Sequence, residues 1–391
     1  GRTRAVDFAL SEDQVAFRSA ARTFADAEFA PHAATWDKDK TFPRATIARA
    51  GELGFCGLYT PEALGGMGLP RLDSAVVLEA LAGGCTSTTA FISIHNMATW
   101  MVAEFGAADV FAPLVAELAA GRALASYCLT EPGAGSDAGS LVTRAERDGD
   151  SYVINGGKTF ISGAGATDVL VLMARTAATG NKGISTFVVP ADADGISYGG
   201  KLEKLGWHSQ PTREVRFDDV RVDATRRLGD EGDGFRIAMR GLDGGRINIA
   251  ACSVGTADAA IEAARTHMGE RRQFGQALAE FQALQFKLAD MATNLTASRQ
   301  MVHLAASMLD AGDPDAATYC AMAKRFATDA CFDICNHALQ LHGGYGYMEE
   351  YPLERFVRDT RVHQILEGTN EIMRLIIARR LLADGARRLG G

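Results

Sequence analysis

The sequence predicts an α+β fold in which a small antiparallel sheet domain lies between two helical domains. Apolar residues recur at helical spacing up to about residue 125, short β-type runs follow, and helical spacing returns at Gly234. The predicted domains are therefore residues 1–125, 126–233 and 234–391. Strands and helices do not alternate along the chain, which argues against a doubly wound parallel sheet.

The N-terminal domain begins with a helix start signal. Ser11 and Gln14 form the pattern of a capping box, and apolar residues from Val15 to Phe24 then follow at helical spacing. Further helices are predicted over residues 72–81, 87–105 and 111–118.

The middle segment has the residue pattern of a sheet. Its β-type runs occupy residues 152–154, 158–161, 169–173, 186–189 and 214–217. Turn residues separate these runs, beginning with Asn155-Gly156-Gly157 between the first two. The pattern predicts a sheet domain of about 100 residues.

The C-terminal segment returns to helical periodicity. Apolar residues repeat every seven positions from Phe281 to Val302, which indicates a long helix with one packing face. Packing in the core of a helical bundle explains this stripe fully. A helix beginning near Ala316 is predicted to end at Gly343-Gly344, and a last helix covers residues 369–382.

Composition and short motifs exclude several classes of function. The 391 residues carry 40 basic and 48 acidic side chains, a net charge of −8, which argues against a nucleic-acid or anionic-membrane partner. No apolar run reaches the length of a membrane span. The cysteines and histidines show no metal-ligand spacing, so no metal site is predicted. The Gly-rich segments also miss the dinucleotide, P-loop and serine-hydrolase patterns.

Two segments combine hydroxyl groups with glycine or an aromatic ring. Residues 127–137 form a Gly-rich loop after a predicted strand, where the backbone could approach a flat ligand closely and bind it through N–H groups and hydroxyls. In Phe160, Ile161 and Ser162 a hydroxyl stands near an aromatic ring, although an ordinary strand end explains these residues equally well.

Glu367 is the acidic group of a third segment, residues 363–371. It follows two apolar residues, Ile365 and Leu366, and precedes Gly368. A carboxylate in apolar surroundings has a raised pKa and is a stronger base. From these residues alone, a surface glutamate in front of a helix N-cap is the favoured interpretation.

Four segments together resemble the signatures of the acyl-CoA dehydrogenase family. They lie in the family's order and spacing at residues 127–137, 270–275 with Gln282, 340–346 and 364–370. The resemblance covers essentially the whole chain. It implies an N-terminal helical domain, a middle antiparallel β-domain and a C-terminal four-helix bundle, with FAD between the last two. It also implies an acyl-CoA substrate, an electron-transferring flavoprotein as electron acceptor, and a homotetramer.

The resemblance assigns the cofactor contacts by position. The isoalloxazine ring would be lined by Tyr127, Leu129, Thr130, Gly135, Ser136, Phe160, Ile161 and Ser162. The adenine and pyrophosphate would be held, partly across a subunit interface, by Arg271, Phe281, Gln282, Gln340, Leu341, His342, Gly343 and Gly344. Near the active site, Thr369, Asn370 and Glu371 would touch the cofactor.

The resemblance also assigns the base and the substrate contacts. Some family members carry the base at the position of Gly245, and since glycine has no ionisable group, Glu367 is left. Glu367 would remove the α-proton of the thioester while the β-hydrogen passes as hydride to FAD. The acyl-CoA would contact Ser136, Asp243, Gly244, Gly245, Arg246 and Arg379. Arg246 and Arg379 could instead be charges on helix surfaces.

The substrate expectation comes from the segments around Arg246 and Glu367, which resemble the isobutyryl-CoA dehydrogenase branch of the family. That branch usually has Asn where this chain has Asp243. Gly244 and Gly245 would leave width beside the substrate's Cα and Cβ, which suits an α-methyl branch, so isobutyryl-CoA is the expected substrate. Short straight-chain or 2-methylbutyryl-CoA, an oxidase variant and a non-catalytic acyl-CoA-binding relative stay open. Ala-, Gly- and Arg-rich composition favours a bacterial, cytoplasmic protein, with the mitochondrial matrix as the alternative.

Overall fold

The computed structural model describes residues 8–383 and Leu389, so the two ends of the predicted outer domains lie outside the described residues. Helices come first, strands follow, and helices return. Before the sheet the helices are α1 (Glu12–Phe24), α2 (Ala33–Asp39), α3 (Arg44–Glu52), α4 (Arg71–Ala82), α5 (Thr86–Phe105) and α6 (Ala108–Ala119). After it they are α7 (Gly234–Glu270), α8 (Gln282–Asp310), α9 (Ala316–Leu341), α10 (Leu353–Arg361) and α11 (Asn370–Leu382).

The capping box predicted at the start of α1 is confirmed. The Gln14 backbone N–H donates to Ser11 Oγ (3.2 Å), and the Ser11 backbone N–H donates to Gln14 Oε1 (2.9 Å). Two of the N–H groups that a helix leaves unpaired at its first turn are thereby satisfied.

The sheet is mainly antiparallel, but one strand has two parallel partners. Its strands are β1 (Ala125–Cys128), β2 (Arg144–Asp148), β3 (Ser151–Ser162), β4 (Val169–Arg175), β5 (Ile184–Pro190), β6 (Ile196–Tyr198), β7 (Thr212–Asp223) and β8 (Arg227–Leu228). They lie in the order β6-β7-β3-β2-β4-β5-β8. The parallel partners of β4 are β1 and, through the single pair Arg144 and Arg175, β2. Parallel pairing is open to β1 because the β2–β3 hairpin, and not a tight turn, separates it from β4.

The turn predicted at Asn155-Gly156-Gly157 is wrong, because this segment lies inside the continuous strand β3. The pairing of β3 with β7 shifts register between Ile154 and Gly156, and Gly156 has a φ of +145°. A Cβ at Gly156 would lie 2.5 Å from Thr143 Oγ1. Glycine here therefore permits an irregularity within a strand and a close approach of the backbone at Thr143, just before β2. From the sequence pattern alone the same glycines predict a turn.

The two helical regions share one hydrophobic core. The helix α7 packs against α4 and α5 on one side and against α8 and α9 on the other, while α10 and α11 pack on α9. Buried side chains of one continuous cluster, such as Phe24, Leu78, Ile247 and Ala327, come from both regions. The candidate site forms where this core meets the sheet. None of the helices in the described part of the chain has the length and apolar character needed to cross a bilayer.

A short hairpin that the sequence pattern did not indicate connects α7 to α8. Its strands are β9 (Arg272–Gln273) and β10 (Gln276–Ala277), paired antiparallel. Phe274 and Gly275 at the tip both have left-handed backbone, with φ of +52° and +82°. The Phe274 side chain is 94% exposed in the single chain.

Candidate active site

Glu367 lies in a short connection before α11, and its backbone is unusual. Its φ is +54° and that of the following Gly368 is +86°. A glutamate in the left-handed region costs free energy, so such residues persist where surrounding contacts enforce them, commonly at functional sites. Thr369 ends the connection as the N-cap of α11, accepting a hydrogen bond from the Ile372 backbone N–H (3.3 Å).

The carboxylate of Glu367 is buried beside α7 and α5. Oε2 is fully buried and has no hydrogen-bond partner among the described residues. A Cβ at Gly245 would lie 2.5 Å from this atom and 2.8 Å from Met97 Sδ. Burial raises the pKa of Glu367 to about 7, although positive charge on Lys324 and Arg246 acts in the opposite direction.

Arg246 holds the connection from the side of α7. Its Nε donates to the Glu367 carbonyl oxygen (3.3 Å), and its Nη1 pairs with Asp243 Oδ1 (2.8 Å). Arg246 is only 5% exposed, so the alternative of a helix-surface charge is wrong for this residue. Burial raises the pKa of Asp243, which the charge of Arg246 partly offsets. Arg379, by contrast, is exposed on α11, about 14 Å along the helix from Asn370.

The space beside Gly244 and Gly245 is occupied by this chain's own side chains. A Cβ at Gly244 would overlap the Arg71 guanidinium, just as one at Gly245 would overlap Glu367. The expectation that the two glycines simply leave width for a branched substrate is therefore incomplete. They first make room for a cation and for the candidate base.

Arg71 was not singled out from the sequence. It is the first residue of α4, and its backbone N–H donates to Asp310 Oδ1 (2.7 Å) at the end of α8. Its guanidinium carbon lies 3.7 Å from the centroid of the Tyr59 ring and 4.7 Å from that of Trp100. Such cation–π contacts hold a guanidinium where water is scarce.

A buried ion pair between Lys158 on β3 and Glu131 holds the Gly-rich loop after β1 in place. Lys158 Nζ lies 2.8 Å from Glu131 Oε1 and also donates to the Leu129 carbonyl oxygen (2.9 Å). Burial opposes ionisation of Glu131, but Lys158 and hydrogen bonds from Thr143 and Val142 keep the pKa of this carboxyl below its usual value. This ion pair could not be predicted from the sequence, because neither residue belongs to a recognisable charge pattern.

The two predicted ring-binding segments lie side by side. The Thr159 backbone N–H donates to the Thr130 carbonyl oxygen (2.9 Å), and Ser126 Oγ donates to the Ser162 carbonyl oxygen (2.7 Å). Phe160 has a φ of +57° and is 68% exposed, and this combination is uncommon for an aromatic residue. Of the remaining residues, Leu129 and Ile161 are buried, Tyr127 is half-buried, and Gly135 and Ser136 are exposed.

A second group of predicted residues surrounds a cleft of about 650 Å³ between the end of α7 and the end of α9. Arg271, Gln340, Leu341, His342, Gly343 and Gly344 all line it. The Arg271 side chain is exposed, with its guanidinium 5.4 Å from the centroid of the Tyr345 ring. Phe281 and Gln282 stand nearby at the start of α8 but are not among the lining residues.

Asn370 has a structural task that the sequence did not indicate. Its Nδ2 donates to Thr328 Oγ1 (2.9 Å) and Asp329 Oδ1 (2.7 Å), and its Oδ1 accepts from Lys324 Nζ (2.8 Å). These bonds fasten the start of α11 to α9. Glu371, next along the chain, is exposed. Cofactor contact by Thr369, Asn370 and Glu371 stays a prediction.

Comparison with known families decides the identity of the fold. Three family models match in order: the N-terminal domain of acyl-CoA dehydrogenase over residues 11–122, the middle domain over 126–220 and the C-terminal domain over 232–382. The chain belongs to the acyl-CoA dehydrogenase family. It is an FAD-dependent oxidoreductase that dehydrogenates acyl-CoA thioesters.

Individual relatives of this acyl-CoA dehydrogenase are similar over nearly the whole chain. Mitochondrial isobutyryl-CoA dehydrogenase of Bos taurus is 53% identical over 375 residues, 96% of this chain and 90% of its own. The protein of the same name from Dictyostelium discoideum is 54% identical over 376 residues, with the same coverage. The solved structure of butyryl-CoA dehydrogenase from Megasphaera elsdenii is 37% identical, with a TM-score of 0.94 over 97% of this chain and 100% of the other.

The surfaces of this acyl-CoA dehydrogenase fit FAD at both ends of the cofactor. Near Phe160, a Cβ at Gly133 or Gly135 would meet no other atom within 4 Å, so the loop has room for a flat ring beside the exposed aromatic. At the cleft, Gly343 and Gly344 are equally open, and the exposed Arg271 guanidinium suits an anionic pyrophosphate. The loop near Phe160 would hold the isoalloxazine ring of FAD, and the cleft would hold its pyrophosphate and adenine.

Proposed function

We propose that this acyl-CoA dehydrogenase acts on a short, branched acyl-CoA, with isobutyryl-CoA as the best substrate, and that Glu367 is its base. The observation that carries the proposal is the buried, unpartnered carboxylate oxygen of Glu367 beside Gly245. Two relatives at 53% and 54% identity are named for the same substrate, which supports it. The relative from Megasphaera elsdenii is named for butyryl-CoA, so the short straight chain is the nearest alternative.

The first chemical step is removal of the α-proton by Glu367. A carboxylate with a pKa raised to about 7 by burial is a much stronger base than an exposed glutamate, and it is still ionised over much of the neutral range. Met97 and Gly245 beside the carboxylate offer it no hydrogen bond from a side chain, so its lone pairs stay available to the substrate.

The thioester carbonyl needs a hydrogen-bond donor as negative charge develops on its oxygen. The Glu367 backbone N–H is bonded to no acceptor among the described residues. The left-handed backbone of Glu367 and Gly368 thus presents a donor and a base from the same residue. FAD, when bound, supplies the acceptor for the two electrons that leave the acyl chain. The proposed contacts of the acyl-CoA are Ser136, Asp243, Gly244, Gly245, Arg246 and Arg379.

The test is a panel of acyl-CoA thioesters with a dye as electron acceptor. Isobutyryl-CoA should give the highest kcat/KM, followed by butyryl- and 2-methylbutyryl-CoA, with octanoyl-CoA poor. Differences of about 10–200-fold are expected, since one misplaced methylene contributes about 1–3 kcal/mol. Octanoyl-CoA as the best substrate would refute the short-chain assignment. Absence of turnover on every thioester, with acyl-CoA still bound, would favour a non-catalytic binding protein.

We further propose that the enzyme is a homotetramer that passes electrons to an electron-transferring flavoprotein. Large apolar side chains are exposed in the single chain near the cofactor cleft, including Phe274 and Tyr347, and a subunit interface would cover them. Gel filtration should give about four chain masses. The composition supports a bacterial cytoplasmic location, while the names of the two relatives leave the mitochondrial matrix as the alternative.

A further inference from the structure

Lys324 lies in the middle of α9 and touches the segment that carries Glu367. Its side chain is fully buried, and Nζ donates to the Gly368 carbonyl oxygen (2.8 Å) and to Asn370 Oδ1 (2.8 Å). Both acceptors lie within the three residues that follow Glu367. Because a buried ammonium needs hydrogen-bond partners, Lys324 and this segment hold each other in place.

The segment requires such support because Glu367, a residue with a side chain, has left-handed backbone. Glu367 and Gly368 have φ of +54° and +86°. Arg246 Nε holds the Glu367 carbonyl oxygen from α7, at 3.3 Å. Lys324 holds the next carbonyl and Asn370 from α9. The backbone around the candidate base is therefore held by one cation from α7 and one from α9.

Lys324 and Arg246 differ in how strongly their positive charge acts on the Glu367 carboxylate. The ionisable groups that face Glu367 are Lys324 on α9, Arg246 and Cys252 on α7, Tyr127 on β1 and Tyr59 before α4. Arg246 shares its charge with Asp243 in an ion pair, whereas the Lys324 ammonium contacts two neutral oxygen atoms. Lys324 in turn is faced by Glu367, Arg246, Asp329 and Glu371.

We propose that Lys324 is a positioning residue for Glu367, which fixes the left-handed segment and supplies the positive charge that keeps the base ionised. The proposal rests on the proposed role of Glu367 as the base. It gives Lys324 two separable effects, one through hydrogen bonds and one through charge. Only the charge effect depends on pH.

The test is a titration of Glu367 in the Lys324→Met holoenzyme. The protonated carboxyl is followed by its infrared carbonyl band, assigned as the band that Glu367→Gln removes. Because burial raises the pKa of Glu367 to about 7 against the opposing charge of Lys324, loss of that charge should move the midpoint to higher pH.

The same variant should show a pH-dependent loss of activity. The kcat/KM for acyl-CoA, which reports ionisations of the free enzyme, should fall by about tenfold more at pH 6 than at pH 9. The reason is that pH 9 lies well above a pKa of about 7, so Glu367 is ionised there with or without Lys324, whereas at pH 6 the charge of Lys324 determines how much carboxylate is present. In addition, burial lowers the pKa of Lys324 to about 8, so its own charge declines toward pH 9. Lys324→Arg, which keeps the charge, should keep the wild-type midpoint.

Lys204→Met is the matched control. Lys204 also has a pKa lowered to about 8 by burial, and its Nζ donates to the carbonyl oxygens of Trp207 and Gln210. Glu367 is not among the groups that act on it, so this variant should lose stability without moving the Glu367 midpoint. Should Lys324→Met fail to fold, Lys324→Gln removes the charge and keeps an N–H donor.

The outcomes distinguish this proposal from the proposed function. An unchanged infrared midpoint without the Lys324 charge, or an equal shift in Lys204→Met, would overturn the role of Lys324 even if the enzyme oxidises acyl-CoA normally. A shifted midpoint in a protein that oxidises no acyl-CoA would support the role of Lys324 and refute the proposed function.

Discussion

Glu367 combines burial with the capacity to ionise near neutral pH. Burial is the largest influence on its pKa and raises it to about 7, while Lys324 and Arg246 act in the opposite direction. A general base works best when its pKa lies near the operating pH. Because the reacting form is the carboxylate, activity should decline as the pH falls through this value. The structure thereby supplies the apolar surroundings that the sequence could only suggest.

Replacing Glu367 by Gln should leave FAD bound and reduce turnover on isobutyryl-CoA by about 10²–10⁴-fold, the usual contribution of a positioned base. The amide keeps the shape of the side chain but accepts no proton at neutral pH. Flavin absorbance measures cofactor content, and stopped-flow reduction of the flavin measures the chemical step. Glu350→Gln, at an exposed glutamate, is the control. Near-normal reduction in Glu367→Gln would remove this residue from the mechanism.

The residues that hold Glu367 and the Gly-rich loop could not be found from the sequence. Lys324 contacts Gly368, 44 positions later, and Lys158 contacts Glu131, 27 positions earlier. Neither spacing reflects a helix turn or a strand alternation, so no periodic pattern reveals these contacts. Glu367 can be recognised as the candidate base only through the motif of residues 364–370, since the residue by itself predicts an ordinary surface glutamate.

At the scale of elements, the glycine pair on α7 decides what can approach the carboxylate. Gly244 and Gly245 lie against Arg71 and Glu367, which belong to α4 and to the connection before α11. The helix thus has one charged group beside it from the N-terminal helical region and one from the C-terminal region. Pattern reasoning finds the glycines but not the side chains that fill the space beside them, since these come from distant elements.

Gly245→Ala should lower kcat on isobutyryl-CoA and butyryl-CoA alike, by about tenfold or more. The new Cβ would lie 2.5 Å from Glu367 Oε2, so the carboxylate has to move from its position, and misplacement of a catalytic group costs rate with any substrate. Gly269→Ala on the same helix is the control, because its Cβ would meet no atom within 4 Å. A loss confined to isobutyryl-CoA would instead favour the original expectation of width for the branch.

Arg71→Met should relax selectivity for short acyl chains. The guanidinium stacks on Tyr59 and Trp100 over Gly244, next to the residue that faces the base, and an apolar side chain there would accept a longer apolar tail. We expect the kcat/KM of octanoyl-CoA relative to isobutyryl-CoA to rise by about tenfold. Arg240→Met is the control, since Arg240 contacts the same Trp100 ring from an exposed position. An unchanged ratio would make Arg71 a packing residue only.

For the whole molecule, the order of helices, sheet and helices could be predicted because each periodicity is local. The joint core of the two helical regions could not, since Phe24 and Ala327 belong to one cluster through the packing of α4 and α5 on α7 and of α4 on α8. The parallel pairing of β1 with β4 and the irregularity inside β3 were missed for the same reason. Both depend on a neighbouring strand, so the local pattern gives no sign of the parallel pairing and shows the glycines of β3 only as a turn.

Arg271→Ala tests how cofactor binding and assembly depend on each other. Arg271 is exposed in the single chain at the edge of the cleft, beside Tyr345 and close to the exposed Phe274 hairpin. If it meets the FAD pyrophosphate at a subunit interface, its loss should weaken FAD binding by about tenfold or more, because a hydrogen bond to a charged group contributes about 1.5–3 kcal/mol. The flavin-to-protein absorbance ratio and the apparent mass in gel filtration should therefore decrease together.

The control for this change is Arg265→Ala, at an exposed arginine of α7, the helix that ends directly before Arg271, where Arg265 pairs with Glu262 on its own helix. It should retain full flavin content and the wild-type size. If Arg271→Ala behaves in the same way, Arg271 is a surface residue and the pyrophosphate is held by other groups of the cleft. A loss of flavin without a change in size would place the pyrophosphate within one subunit, and dissociation with full flavin content would make Arg271 an interface residue alone.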